Sequence, residues 1–188
     1  MKKVLAALAL LAGCADCGGG GGPCGAGDAG ASGVTATVDT VTLEFGNFTS
    51  SANNDCSVAG SPTSLTVDGE QTSPAQPSFF LTLCLPRPDR IGGDPVPLVP
   101  AQIPPGADDL AQVVNVNGNL GGDCLVTLDA AGTFDATATF TGYCGDGADP
   151  GGYAIALAGT LPGTRICPGP VSDDVTIELG GSAAVTVP

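Results

Sequence analysis

Carboxylates are the side chains of this sequence best placed to do chemistry. Asp146 and Asp149 fall in one predicted loop, and the adjacent Asp173 and Asp174 fall in another. Loops that place Asp beside Gly or Pro supply the hard oxygen ligands that calcium prefers, provided that several of them converge. The sequence therefore predicts these four residues as candidate calcium ligands. The alternative interpretation is that they are solvated carboxylates that begin turns.

A pair of carboxylates can also hydrolyse a glycosidic bond, with one acting as the acid and the other as nucleophile or base. Sugar clefts usually carry stacking aromatic side chains, whereas this chain has two Tyr, six Phe and no Trp. It has no His, and its lysines are Lys2 and Lys3. Histidine bases, Schiff-base lysines and phosphate-loop lysines are thereby excluded from the rest of the chain. A glycosidase-like hydrolase of the periplasm or cell surface is the less favoured hypothesis.

The cysteines form the second set of reactive side chains. Eight occur in the chain, which favours an oxidising compartment and disulfide bonds. We expect Cys56 to pair with Cys84, and Cys24 to tie the N-terminal segment to the domain. No two domain cysteines have the spacing of metal ligands. The remaining candidates for disulfides are Cys124, Cys144 and Cys167.

The first fourteen residues carry an ordered set of signals. A basic start, Met1-Lys2-Lys3, precedes an apolar run over residues 4–12, which ends in Leu11-Ala12-Gly13-Cys14. The run is too short to span a bilayer but suits the core of a signal peptide. This segment resembles the signal peptide and lipobox of bacterial lipoproteins. The resemblance implies that residues 1–13 are removed and that Cys14 carries the lipid; the alternative is an ordinary secretory signal with a chance cysteine.

Residues 14–33 follow as a Gly-rich tether between the lipidated cysteine and the rest of the chain. They hold nine Gly and no large apolar side chain, which is typical of a flexible linker. The resemblance to lipoproteins also bears on sorting, because an Asp directly after the lipidated cysteine tends to retain the protein in the inner membrane. Ala15 stands there. We therefore expect a lipid-anchored protein of the cell envelope, with the outer membrane favoured, at its periplasmic face or on the cell surface.

The net charge narrows the classes of partner. It is −14 for the whole chain and becomes −16 once Lys2 and Lys3 leave with the signal peptide. A surface this acidic repels phosphate backbones and anionic headgroups, which excludes nucleic acid as a partner. The remaining partners are the membrane through the N-terminal lipid, an unidentified envelope protein, a glycan or a cation. No cofactor other than calcium is implied.

From Val34 onward the sequence predicts one all-β domain, residues 34–188. Short Val- and Thr-rich segments alternate between apolar and polar positions and are separated by Gly, Pro, Asn and Asp. In residues 133–141 the even positions are apolar and the odd ones polar, so one face is buried and the other wet. Eight to ten strands are expected. We interpret the domain as an antiparallel β-sandwich, with an open β-barrel as the alternative.

Three local features predict how these strands connect. The apolar positions change phase near Asp39-Thr40, which predicts a bulge or a switch between sheets. Residues 130–132 predict a hairpin loop that sets Leu128 opposite Phe134, with a positive φ at Gly132. This register also separates Cys124 from Cys144 by more than a disulfide can bridge. Residues 180–182 predict a turn that pairs Ile177 with Val185.

A Pro-rich stretch, residues 86–105, predicts an extended crossing loop, because proline cannot donate to a sheet ladder. It contains Arg87 and Arg90, which could contact a carboxylate partner. Taken together, the sequence favours a lipid-anchored binding or structural module of the envelope, stabilised by calcium if the Asp-rich loops bind it. A Thr-rich face that pairs edge to edge with another chain is a further alternative.

Overall fold

The computed structural model describes residues 32–51, 65–85, 94–101, 111–141, 152–169 and 172–186. Within these ranges the fold is all-β, and no helix there is long and apolar enough to cross a membrane. The strands are β1 (Gly33–Val38), β2 (Val41–Ser51), β3 (Leu65–Ser73), β4 (Ala75–Leu85), β5 (Val96–Pro100), β6 (Ala111–Gly121), β7 (Cys124–Leu128), β8 (Asp135–Thr141), β9 (Gly152–Ile166) and β10 (Ser172–Thr186).

The pairing of the strands returns on itself. Antiparallel pairs lead from β1 through β2, β3, β4, β6, β7, β9 and β10 back to β1. β5 and β8 provide a second path between β6 and β9, and β5 runs parallel to β6. The predicted all-β class is confirmed, and this ring of pairings is consistent with both a β-sandwich and an open barrel.

The strand directions define two ends of the domain. At the turn end, short turns at Asp39-Thr40, Pro74 and Gly122-Asp123 join successive strands, and residues 167–171 join β9 to β10. At the connection end, the chain enters β1 at Gly33. The connections over residues 52–64, 86–93 and 142–151 also begin and finish at this end.

Alternation of apolar and polar side chains builds the core. In β8, Ala136, Ala138 and Phe140 are buried while Asp135 and Thr137 are exposed, as predicted from the sequence. Each buried side chain of the size of Leu or Phe contributes roughly 1.5–3 kcal/mol. The largest fully buried apolar side chains are Leu43, Phe45, Leu81, Leu83, Leu85, Leu98, Ile155, Leu161 and Ile177.

The predicted bulge or sheet switch near Asp39-Thr40 is wrong. These residues form a two-residue turn in which Val38 pairs with Val41, and Ala36 pairs with Leu43. Directly opposed residues of an antiparallel pair point to the same face. Even positions of β1 therefore share the core face with odd positions of β2, and the change of phase marks a tight hairpin.

The predicted hairpin between β7 and β8 is also wrong. Both strands pair with β9 instead, β7 with residues 163–166 and β8 with residues 154–160. They run in the same direction along one edge of β9, and residues 129–134 loop out between them. Gly132 does not adopt a positive φ; a Cβ there would overlap the ring of Pro162, so close packing is what requires glycine.

The predicted turn at residues 180–182 is not formed, because β10 continues through it. β10 pairs with β9 in one register on both sides of Gly180-Gly181, and Ile177 pairs with Leu161, not with Val185. The buried positions keep the same odd phase before and after the two glycines, as a continuous strand requires. Gly181 has a φ of 91°, and a Cβ there would overlap the carbonyl oxygen of Gly33.

The Pro-rich stretch contains a strand as well as loops. Residues 96–100 form β5, in which Leu98 is buried in the core, so the interpretation of the stretch as a crossing loop needs correction there. Pro97 and Pro100 are tolerated because β5 makes only a few registered pairs with β6 and β8. Arg87 and Arg90 lie outside the described residues.

Each end of the domain contains a buried glutamine. At the turn end, Gln71 of β3 donates to the carbonyl oxygens of Pro74 (2.8 Å) and Asn119 (3.1 Å), and it accepts from the Asn119 amide (2.8 Å). At the connection end, Gln112 of β6 is 0% exposed, and neither of its amide atoms has a hydrogen-bond partner among the described residues. Gln112 lies opposite Cys84.

Candidate functional site

Arg165 holds the most developed polar arrangement of the described residues. Its Nη1 donates to Asp39 Oδ2 at 2.7 Å, and its Nη2 donates to Asp173 Oδ2 at 3.0 Å. Asp173 lies directly opposite Arg165 on β10, and Asp39 lies in the turn between β1 and β2. The guanidinium thus joins β9, β10 and the turn between β1 and β2.

The pairing keeps Arg165 charged. The hydrogen bond to the Asp173 carboxylate is the largest contribution and raises the pKa of Arg165 above its ordinary value. Burial opposes this, and the charges of both carboxylates add to the rise. About a third of the Arg165 side chain remains exposed, at 32%, against 63% for Asp39 and 48% for Asp173. The three groups therefore form a hydrated cluster with a net charge of −1.

A pocket of about 370 Å³ opens beside this cluster, and we call it the Arg165 pocket. One wall is polar and consists of Arg165, Asp39 and Asp173. Apart from Thr40, the other lining residues are apolar or Gly, and Val41 and Leu120 among them pack against the core. The residues that line the pocket are Val38, Asp39, Thr40, Val41, Leu120, Gly121, Cys124, Arg165, Cys167 and Asp173.

Local sequence explains how these side chains are placed. Asp39 has a φ of 54°, which Asp tolerates better than bulkier residues. Gly121, Gly122 and Asp123 all have positive φ in the tight turn between β6 and β7. This turn sets the Leu120 side chain beside the pocket and leads directly into Cys124 at the start of β7.

The disulfide between Cys124 and Cys167 forms part of the pocket wall. Cys124 precedes Leu125 and Cys167 follows Ile166, and since Leu125 pairs with Ile166, the bond extends the contact between β7 and β9 by one residue. The predicted absence of a bond from Cys124 to Cys144 holds for this reason, although the hairpin register behind that prediction is not formed. The bond closes the ring of strands at the turn end.

The other predicted disulfide residues are not placed together by the described residues. Cys84 is disulfide-bonded, and its partner lies outside the described residues. The expected pair Cys56–Cys84 therefore stays a prediction. Cys14, Cys24 and Cys144 also lie outside the described residues.

Two of the four predicted calcium ligands lie among the described residues, and two lie outside them. Asp146 and Asp149 lie outside the described residues. Asp173 is engaged by Arg165, whereas Asp174 faces the opposite side of β10, in an open groove of about 440 Å³. No group of three or more His, Cys, Asp or Glu with metal-binding geometry occurs among the described residues. The other lining residues of this outer groove are Thr37, Asp39, Thr160, Arg165, Val175, Thr176 and Glu178.

Sequence reasoning missed the central role of Arg165 and Asp39. The change of phase at residues 38–41 was the available signal, because it marks a tight turn and places Asp39 at an end of the domain. No local signal links Asp39 to Arg165, since 126 positions separate them and only the ring of pairings brings them together.

Compared with known proteins, the chain matches no family model, no curated protein and no solved structure.

Proposed function

We propose that the protein is a lipid-anchored lipoprotein of the bacterial cell envelope whose β-domain acts as a binding module. The observation that carries the proposal is the order of signals that ends in Leu11-Ala12-Gly13-Cys14, followed by the Gly-rich tether. The tether runs into β1, where Ser32 is exposed and Val34 is already 0% exposed. A Gly-rich segment that leads directly into the first core strand suits a domain held off a membrane.

The positions of the two ends support a binding role. The tether enters at the connection end, next to Ser182 of β10, and the Arg165 pocket lies at the turn end. A lipid on Cys14 would therefore leave the pocket on the side of the domain away from the attachment point. The outer membrane is the favoured location, since Ala15 follows the cysteine.

A carboxylate-based hydrolase is the alternative, and the geometry of the turn end disfavours it. Asp39 and Asp173 each form an ion pair with the one guanidinium of Arg165, so both carboxylates are already paired. The two carboxyl groups of a glycosidase must instead flank the scissile bond. The Arg165 pocket and the outer groove are both lined without aromatic side chains that could stack on a sugar.

Calcium binding remains part of the proposal only through the loop that contains Asp146 and Asp149. Calcium needs several converging oxygen ligands, and no group of three or more possible metal ligands occurs among the described residues, which include Asp39 and Asp173. We therefore assign no calcium to the turn end.

Metabolic labelling tests the anchor. The full chain is produced in a Gram-negative host with an alkyne fatty acid, and incorporation and membrane fractionation are measured for the parent, Cys14→Ala and Cys17→Ala. We expect the parent and Cys17→Ala to be labelled and to sediment with outer membranes, and Cys14→Ala to lose the label. Equal labelling of both variants, or no labelling of the parent, would refute the anchor.

A further inference from the structure

We propose that the Arg165 pocket binds a small organic cation that has an apolar body, of the class of alkylamines. The inference rests on the proposed role of the domain as a binding module and names the class of ligand. It stands on the size, the lining and the charge of the pocket.

The size and lining fit a small molecule. A volume of about 370 Å³ lies within the range of roughly 300–1,000 Å³ that is usual for ligand pockets. Val41, Leu120 and the Cys124–Cys167 disulfide give it an apolar surface, and one wall carries charge. An apolar surface with a few convergent polar groups is the usual composition of such sites.

The charged wall selects a cation. Asp39 and Asp173 each accept a hydrogen bond from Arg165 through Oδ2. Arg165 donates no hydrogen bond to the Oδ1 atom of either carboxylate. An ammonium group placed at these oxygens would raise the net charge of the wall from −1 to zero. A carboxylate ligand would instead change the net charge of the same wall from −1 to −2.

The surroundings strengthen this selection. The described residues contain eleven Asp and Glu side chains and one cation, Arg165 itself. The field of the domain therefore attracts cations to the pocket and repels anions. Arg165 also fixes both carboxylates before a ligand arrives, which lowers the entropy lost on binding.

The apolar body is needed as well as the charge. A bare cation would gain only the screened attraction of exposed carboxylates, and the hydrophobic lining would stay wet. An alkyl chain that covers Leu120 and Val41 removes that apolar surface from water. We therefore expect hexylamine to bind more tightly than putrescine, which carries a second ammonium group in place of the apolar end.

Calorimetric titration of the lipidated full chain in zwitterionic detergent tests the proposal, with hexylamine, hexanoate and putrescine as probes. The variants are Asp39→Asn and Asp173→Asn, and the matched control is Asp135→Asn, which removes one exposed carboxylate elsewhere. We expect hexylamine affinity to fall at least tenfold in the first two variants and to stay within twofold in the control. Hexanoate should not bind.

Three outcomes would overturn the inference: no binding of hexylamine to the parent, equal weakening in all three variants, or hexanoate binding as tightly as hexylamine. Leu120→Ala gives a second test, because it should weaken hexylamine more than putrescine. Thermal unfolding of each variant establishes that it is folded. A chain that carries the fatty-acid label but fails to bind hexylamine refutes this ligand class and leaves the lipid anchor standing.

Discussion

Gln71 at the turn end and Gln112 at the connection end are both almost fully buried, but they differ in the hydrogen bonds that their side-chain amides make. Gln71 makes three hydrogen bonds that join β3, the Pro74 turn and β6, although β4 separates β3 from β6 in the order of strands. Gln112 makes none with the described residues. A buried polar group without a partner costs about 1–3 kcal/mol.

The same contrast holds for the two ends as a whole. The turn end has short turns, the Cys124–Cys167 disulfide and the Arg165 cluster, all of which join different strands. The connection end receives the tether and the longer connections. Among the described residues the bonds between strands are therefore concentrated at the turn end, while Cys84 at the connection end is disulfide-bonded to a residue outside them.

Removal of the disulfide at the turn end should have the largest effect. The bond closes a loop between residues 43 positions apart, and loop-closure entropy predicts a loss of about 4 kcal/mol for Cys124→Ala with Cys167→Ala. Urea unfolding measures the change. The opposed pair Thr127 and Thr164 on the same two strands is the control, and replacing both by Ala should cost less than about 1 kcal/mol. Equal losses of unfolding free energy in the two variants would show that the disulfide stabilises the fold no more than an ordinary cross-strand pair.

Gln71→Met should be the next largest change. It removes three hydrogen bonds and leaves the Asn119 amide and two carbonyl groups without their partner, at a cost of about 2–3 kcal/mol. The free energy of unfolding in urea is the measurement. A loss below about 0.5 kcal/mol would mean that water replaces the amide and that the turn end is less tightly joined than we infer.

Gln112→Met should change stability in the opposite direction. The thioether has nearly the volume of the amide side chain and no polar group to desolvate, so we expect a gain of about 1 kcal/mol. This variant and Gln71→Met are measured side by side. A loss for both would contradict the contrast between the ends and would indicate that Gln112 is hydrogen-bonded.

Arg165→Met should produce a smaller change that depends on salt. The ion pairs are partly exposed, so the variant should unfold at a slightly lower temperature in dilute buffer and at the parent's temperature in about 1 M salt.

The same variant should show no pH dependence near neutrality. A base whose pKa is raised on folding contributes stability below its unfolded pKa, and that stability is lost only as pH rises through the folded pKa. Since the raised pKa of Arg165 lies above its ordinary value, the difference between parent and variant should not change between roughly pH 6 and 10. A difference that vanished by pH 9 would contradict the assignment.

The response to calcium should be the least affected by the turn end. We expect the shift in unfolding temperature between calcium and chelator to be the same in the parent and in Asp173→Asn with Asp174→Asn. The described carboxylates form no metal-binding group, and Asp173 is held by Arg165. Loss of the shift in this variant alone would place a calcium site at the turn end after all.

Local patterning was enough to predict the strands but not their partners. The alternation in β8 and the apolar positions Ile155, Leu157 and Leu161 of β9 follow from a period of two, which the sequence shows directly. Over five residues, a tight hairpin, a bulge and a continuous strand with two glycines have similar local sequence patterns. The partner strand decides among them, and β9 pairs with β7, β8 and β10 along its 15 residues.

The candidate site was harder to predict for the same reason. Asp173 was singled out as an acidic loop residue, but its function as a partner of Arg165 depends on the register between β9 and β10. The approach of β8 to β9 likewise depends on Gly159, where a Cβ would overlap the backbone of Asp135 and Ala136. Such close approaches cannot be seen in a sequence taken alone.

The adjacency of β1 and β10 has a mechanical consequence. A pull on Gly33 from a membrane anchor, resisted at the turn end, loads β1 along its own axis. The six registered residue pairs from Gly33–Ser182 to Val38–Ile177 then share the force. A pull between Gly33 and the exit of β10 would instead open these pairs one after another, starting at the connection end. If the domain is anchored through Gly33 and held at its turn end, the force therefore acts along β1, the direction in which all six pairs resist it together.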